Sequence, residues 1–368
     1  MRKNNLFFNN YNIYIFFICF LLIFSLFFPN YHLINNTFVF AQNEYYSTYD
    51  VKHLFTHCLI AYPSIAFKNN NPMKKNYLAD CITAKEFKAI LLSLYKRNYI
   101  LVKLSACFIT NKNGDVVKNK IKVPKGKKPL VFSFDDVNYD SKKIGLGMVD
   151  KIILDKNNNI ASLTKLNNKD DIRYDIEFIP ILEKFILTHP DFSCDGAKGV
   201  LNLTGYDGIL GYRTSHTNTI NRKDEIIKAK KVISKLKENG WEFASHSYGH
   251  YHMNKIDDNK FEKEIVQWQN EVESLIGKTN IYVYPYGEWQ VFDNGEICKK
   301  HQLLQNAGFK LFCGVGMKDF YGYLPNKNHK VLFMDRKCID GNTLSENRKE
   351  LMPFFTPKLV IDSKRFSN

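Results

Sequence analysis

Trp241-Glu242-Phe243-Ala244-Ser245-His246-Ser247-Tyr248-Gly249-His250 carries a short apolar run into two imidazoles four residues apart. On a helical turn that spacing would put both rings on one face, close enough to share one metal ion. Alone the pair means little, because His-x-x-x-His recurs by chance and two polar loop residues are the plainer reading. Its setting gives it weight. Ile226, Ala229, Val232, Ile233 and Leu236 recur at helical spacing just before it, and Asn239-Gly240 ends that helix. Trp241 to Ala244 then reads as a buried strand delivering the histidines at its C-terminal end, where α/β folds place their chemistry.

The same unit repeats on both sides. Upstream, Leu130-Val131-Phe132-Ser133-Phe134-Asp135-Asp136 is an apolar strand ending in two carboxylates. One can bind a cation while the other takes a proton, although Asp-Asp-Val-Asn would also serve as a turn or cap. Ile179, Ile181, Leu182, Phe185 and Ile186 mark a helix, and Gly199 to Leu203 a buried strand. Downstream, Glu262 to Ile276 is helical by spacing, and Ile281-Tyr282-Val283-Tyr284-Pro285-Tyr286-Gly287 is a strand breaking into a turn. A helix from Ile297 to Ala307, stopped by Gly308, leads to strands at Lys310 to Gly314 and Val331 to Met334. Strand and helix in alternation, with the strands buried, predict a parallel barrel or a doubly wound sheet. Residues 140–175 read as a surface hairpin inserted between core elements.

The amino terminus is of another kind. An uncharged run, Ile13 to Phe28, follows Arg2 and Lys3 and reads as a targeting segment. Residues 1–41 are a signal peptide, with a cleavage site at Val39-Phe40-Ala41, or a membrane anchor if uncleaved; either puts the rest outside the cytoplasm. Residues 42–127 read as an αβ segment and linker packing on the main domain, with a capping box at Thr83 to Glu86 and a basic, turn-rich stretch from Asn111 to Pro129. His53 and His57 repeat the four-residue spacing without an acidic partner and read as structural or substrate-lining. Seven cysteines lie beyond the apolar run with no Cys-x-x-Cys pairing, which argues against a zinc-cysteine site. Cys58, Cys81 and Cys107 are disulfide candidates, small buried thiols being the default.

The 368 residues are 45% hydrophobic and 14% aromatic, so a large core is available and wholesale disorder is excluded. A net charge of +15 would attract nucleic acid, anionic membranes and anionic wall polymers alike. Lys and Asn are abundant throughout without a concentrated basic stripe, so no nucleic-acid partner is assigned.

Three strand ends thus carry polar chemistry. One carboxylate and two imidazoles make a set of metal ligands with positions left open, and such an ion polarises a carbonyl and generates hydroxide near neutral pH. The second carboxylate is then free to be a general base. Phe134-Asp135-Asp136, His246-Ser247-Tyr248-Gly249-His250 and Tyr284-Pro285-Tyr286-Gly287 resemble, in order and spacing, the first three motifs of the polysaccharide deacetylases, carbohydrate esterase family 4 or the NodB-homology domain. The resemblance covers about residues 128–345 and leaves 346–368 as an extension packing on the barrel.

It implies a distorted (β/α) barrel of about seven strands. It further implies Asp135 as catalytic base, Asp136, His246 and His250 as ligands of one divalent ion (zinc, or cobalt or another), and Tyr286 as the residue whose backbone N–H helps hold the oxyanion. The implied reaction removes acetyl from N-acetylglucosamine-type sugars of a cell-wall or extracellular polymer. A glycan-binding protein without turnover and an O-acetyl esterase are the alternatives. Val283 stands where the family often has an Arg that orients the base, and Arg336 or Arg213 are the expected substitutes. The family's general acid, a His after a hydrophobic strand, has no clear match among His329, His301 and His252.

Overall fold

Side chains along a strand alternate between two faces, and in Lys128–Asp135 the two faces serve different cores. Leu130, Phe132 and Phe134 join an outer apolar layer, whereas Val131, Ser133 and Asp135 face the opposite way. The computed structural model of the chain describes residues 42–289, 291–293, 296–315, 321–322 and 331–366. Asn43–Asn368 forms one compact unit. The apolar run at 13–28, the cleavage site and His329 lie outside the described residues. Among the described residues no helix is long and apolar enough to cross a membrane.

Seven parallel strands close into a barrel in chain order: β1 (Lys52–His57), β2 (Lys128–Asp135), β3 (Val200–Leu203), β4 (Glu242–Ser245), β5 (Ile281–Val283), β6 (Leu311–Val315) and β7 (Leu332–Cys338). Each pairs with the next, and β7 closes on β1 through Lys337↔Leu54 and Cys338↔Phe55. The expected seven-stranded (β/α) barrel is therefore present. One expectation needs correcting: residues 42–127 are not a separate preamble, because β1 comes from them and fills the gap between β7 and β2. Lys-His-Leu-Phe-Thr-His has polar residues at both ends and lacks the apolar run of the other staves, which concealed it as a strand.

Helices cover the outside. They are α1 (Ala84–Lys96), α2 (Phe178–Thr188), α3 (Arg222–Glu238), α4 (Asp258–Trp268) and α5 (Lys299–Asn306). The capping box of α1 is formed as expected, with Thr83 and Glu86 bonding reciprocally. Their apolar faces and the outward residues of the barrel make one core; Phe134 and Phe178 stack within it at 3.9 Å. The second core fills the lumen with Val131, Val200, Ile281, Leu311 and Leu332, and continues below into Val102, Leu104, Ile121 and Val123. These last residues belong to a floor built by a ribbon of Asn43–Ser47 against Lys120–Pro124 and by the hairpin Phe108–Thr110 with Val116–Lys118. The inserted hairpin expected at 140–175 is a three-stranded antiparallel sheet, Lys151–Leu154, Ile160–Leu166 and Lys169–Arg173. All seven cysteines of the described part are free thiols, five of them buried.

Residues after 345 clasp the outer layer. Arg365 bonds both carboxylate oxygens of Glu86 on α1 and donates to the carbonyls of Leu78 and Cys81. A buried ion pair with its remaining donors satisfied holds a terminus in one place.

Candidate metal and catalytic site

Above the apolar lumen the inward positions turn polar. Asp135 ends β2, His246 follows β4, and Arg336 lies on β7 with its side chain buried at 2% exposure. Arg336 donates to Asp135 in a fork, Nη1 to Oδ1 at 2.7 Å and Nη2 to Oδ2 at 3.0 Å. Asn202 on β3 is the carboxylate's third donor and the second to Oδ1, at 2.5 Å. Burial would by itself raise the Asp135 carboxyl, but Arg336 and then His246 outweigh it and hold it well below the usual carboxylate range. Of the two candidates for the missing charge, Arg336 fills the role; Arg213 is bound to Asp207 and to the Tyr139 carbonyl instead.

Asp136, His246 and His250 come together as expected, one donor atom of each lying within 4.8 Å of the others. The imidazole of His246 presents Nδ1 to the Val283 carbonyl at 2.9 Å. A carbonyl only accepts, so Nδ1 carries a proton, and the tautomer that ligates through Nε2 is the one this bond selects. His246 Nε2 faces Asp136 Oδ1 at 4.0 Å and Asp135 Oδ2 at 3.7 Å, while His250 Nε2 faces Asp136 Oδ1 at 3.6 Å. Acceptors converging in this way repel one another unless a cation or a proton lies between them. Burial pushes His250 down to about 4, against the pull of Asp136, so the ring is neutral and free to ligate at ordinary pH. Burial is likewise outweighed at Asp136, by His250 and then His246, and its carboxyl is lowered. The donor set fits a divalent ion of the zinc type.

The loops that present these groups are conformationally costly. Asp136, Ser247, His250 and Tyr286 all have φ between 54° and 58°, in the left-handed region that non-glycine residues avoid. The helix over residues 258–276 holds one loop from behind. Glu264 accepts from the Gly249 N–H at 2.5 Å, and Glu271 accepts from the Tyr248 hydroxyl at 2.9 Å. Glu271 sits in a π-helical turn, Gln269–Glu273, that interrupts the helix expected there. Ser215 and His216 meet the same hydroxyl at 3.0 and 3.1 Å.

Pro285–Gly287 forms the tight turn expected after β5. Gly287 has φ 68°, and a Cβ there would come within 2.6 Å of Val315. The Tyr286 ring is 56% exposed, stacks on His252 at 3.8 Å and lies 4.6 Å from the His250 ring. The loop Gly205–Arg213 braces the walls of the cleft by bonding the Tyr248 and Tyr139 carbonyls. Tyr212 is buried, and Trp289 packs on Tyr284 and Phe333, so both are core residues.

A cleft of about 540 Å³ opens over this group, lined by His57, Asp135, Asp136, His246, His250 and Tyr286 among others. His57 is the residue that motif reading undervalued. It ends β1 directly beside Asp135, its register partner on β2. Its Nδ1–H donates to the Asp80 carbonyl at 3.0 Å, which leaves Nε2 as the second ring nitrogen. The signal available was its position, an imidazole at the C-terminal end of a strand, but only the ring closure shows which strand end it faces. His53, four residues earlier on the same strand, bonds Ser133 at 2.9 Å within the lumen and is structural. His301 is buried in the outer layer against Phe312, and His252 pairs with Glu288 at 2.7 Å.

Fold and site together define a barrel with a convergent Asp-His-His set and a buried, arginine-paired carboxylate beside it. The resemblance to the polysaccharide deacetylases is borne out: residues 212–303, which include His246, His250 and Tyr286, match the family model described as polysaccharide deacetylase. No curated protein matches the chain. Among solved structures, a Streptococcus pyogenes deacetylase in complex with acetate is 15% identical, with 82% of this chain and 95% of that one covered and a TM-score of 0.44. A de-N-acetylase from Aggregatibacter actinomycetemcomitans is 13% identical over 83% and 99%, with a TM-score of 0.45. A carbohydrate esterase family 4 pseudoenzyme from Bacillus anthracis is 11% identical over 45% and 51%, with a TM-score of 0.25.

Proposed function

We propose that the chain hydrolyses N-acetyl groups of an amino-sugar polysaccharide outside the cytoplasm, with Asp136, His246 and His250 holding one divalent ion. The observation that carries this is the joint placement, in one cleft, of an ionised Asp135, a convergent Asp-His-His set and His57. A bound divalent ion would polarise the acetamide carbonyl and acidify a water, which a weakly basic carboxylate such as Asp135 needs from its surroundings. Arg336 keeps Asp135 deprotonated and fixes its two oxygens, so that it accepts the proton from water at a defined position. His57, with Nδ1–H anchored on the Asp80 carbonyl, gives a proton from Nε2 to the departing amine. The backbone N–H of Tyr286, in the turn at the cleft wall, is assigned to the oxygen of the tetrahedral state.

The reading without turnover draws on one observation: the fork from Arg336 makes Asp135 a weak base. Acetate release from an acetylated chitooligosaccharide, after chelation and again after adding zinc, separates the two. Release restored by zinc and lost in Asp135→Asn and His57→Ala supports hydrolysis. No release with any divalent ion would leave glycan binding as the function. The same assay on O-acetylated xylan tests the ester alternative.

A further inference from the structure

The lysines that look evenly spread in the sequence are not evenly spread in space. Residues 103–128 hold eight Lys against one Asp, and all belong to or border the barrel floor. In the ribbon, Tyr46, Ile121 and Val123 point into the lumen core. Register then fixes the other face: Tyr45 lies opposite Lys122 and Ser47 opposite Lys120, all turned away from the core. Tyr45 is 64% exposed, Lys120 and Lys122 are exposed, and Tyr49 and Ile109 add apolar surface beside them. Between the ribbon and the neighbouring loops is a hollow of about 220 Å³, lined by Lys103, Lys120, Lys122, Asn119, Cys194 and Asp195. The chain enters the ribbon at Asn43, only 14 residues after the apolar run at 13–28 ends.

We propose that this floor docks on an anionic phospholipid bilayer, with Tyr45, Tyr49 and Ile109 at the headgroup level and Lys103, Lys120 and Lys122 around a lipid phosphate. Lysines near a membrane surface attract anionic lipid, and tyrosines favour the interface. The entry of the chain from the apolar run singles out a membrane rather than a wall polymer as the occupant. Docking there points the catalytic mouth away from the bilayer, since the eight-residue strand β2 runs from the floor to Asp135. The barrel would then stand mouth-outward, facing a polymer beyond the membrane.

The test uses the compact unit Asn43–Asn368, which contains both cores and the whole barrel, so that the apolar run cannot itself bind lipid. Co-sedimentation with phosphatidylcholine vesicles is compared with vesicles that also contain phosphatidylglycerol. Binding is expected only to the second, and Lys120→Glu with Lys122→Glu should weaken it roughly tenfold or more. Lys230→Glu with Lys231→Glu on α3 makes the same change in net charge on another face and should leave binding in place. Equal loss in the two double variants would overturn the proposal, leaving general charge attraction. So would equal binding to neutral vesicles, or binding to a soluble polyphosphate polymer but not to vesicles. Thermal melting of each variant separates a lost surface from a lost fold.

Discussion

The two ends of the barrel lumen are made by the same seven strands, yet they are filled by opposite chemistry. Toward the floor, inward positions are Val131, Val200, Ile281, Leu311 and Leu332, members of one apolar cluster. Two to four residues further along the same strands stand Asp135, Asn202 and Arg336, with His246 just past β4. Alternation puts them on the same face, and only residue type changes along the axis. The apolar half supplies burial energy that tolerates the cost of the charged half, where the strained loops and desolvated charges collect. Stability and chemistry are thus separated along one axis, and substitutions at the two ends should behave differently.

The largest expected effect is at the mouth. Asp135→Asn keeps the shape and removes the acceptor, so kcat should fall by about 10²–10⁴-fold, while the protein stays folded. A variant with activity near that of the wild type in acetate-release assays would remove Asp135 from the chemistry. Arg336→Met comes next and acts on stability. It leaves the Asp135 carboxylate buried without its ion-pair partner, and should cost about 3–5 kcal/mol in urea unfolding. Adding Asp135→Asn should recover much of that loss, because the uncompensated charge is gone. A double variant no more stable than Arg336→Met would mean that the fork is not what makes the single change costly. At the floor, Leu311→Ala should cost about 2–5 kcal/mol by leaving a cavity, yet change kcat by no more than about twofold. A large loss of kcat with intact metal binding would break the separation.

What the sequence made legible follows the same division. Asp135-Asp136, His246 to His250 and Tyr284 to Gly287 are local: each sits on one strand end, so spacing and flanking apolar runs suffice to find them. Arg336 and His57 are not local. Arg336 meets Asp135 across 201 positions of sequence, and it is reached only because β7 and β2 flank β1. His57 faces the cleft because β1 closes the ring, and a six-residue strand with lysine and two histidines gives little apolar signal. The alternation of strands and helices was enough to predict a parallel barrel or a doubly wound sheet, and the family resemblance pointed to the barrel, while the stave from residues 52–57 needed three-dimensional closure. The π-turn that presents Glu271 was likewise read as plain helix, since periodicity over residues 262–276 does not reveal one inserted residue.

Smaller effects are expected one layer behind the mouth. Tyr248 touches no donor of the Asp-His-His set directly, but its hydroxyl ties the loop between His246 and His250 to Glu271. Tyr248→Phe or Glu271→Gln should weaken zinc affinity by about 10-fold to 100-fold in a chelator competition, with the melting temperature little changed. Unchanged zinc affinity in both would make this network a packing feature only.

The remaining effect is a slope, and it comes from neither end of the lumen. Glu177 is buried in the outer layer, where its carboxylate oxygens accept from the N–H groups of Leu59 and Phe178 and so tie the end of β1 to the start of α2. Burial pushes its carboxyl up to about 8, with those two N–H groups pulling part of the way back. Between the ordinary glutamate range and pH 8 the folded state keeps a proton that the unfolded chain releases. Stability should therefore fall as pH rises from about 5 to 8, by at most about 1.4 kcal/mol per unit. Glu177→Gln removes the titrating group and should flatten that slope in urea titrations at several pH values. If stability instead rises across the interval in the wild type and the variant alike, Glu177 is ionised in the folded chain and its bonds to Leu59 and Phe178 outweigh its burial.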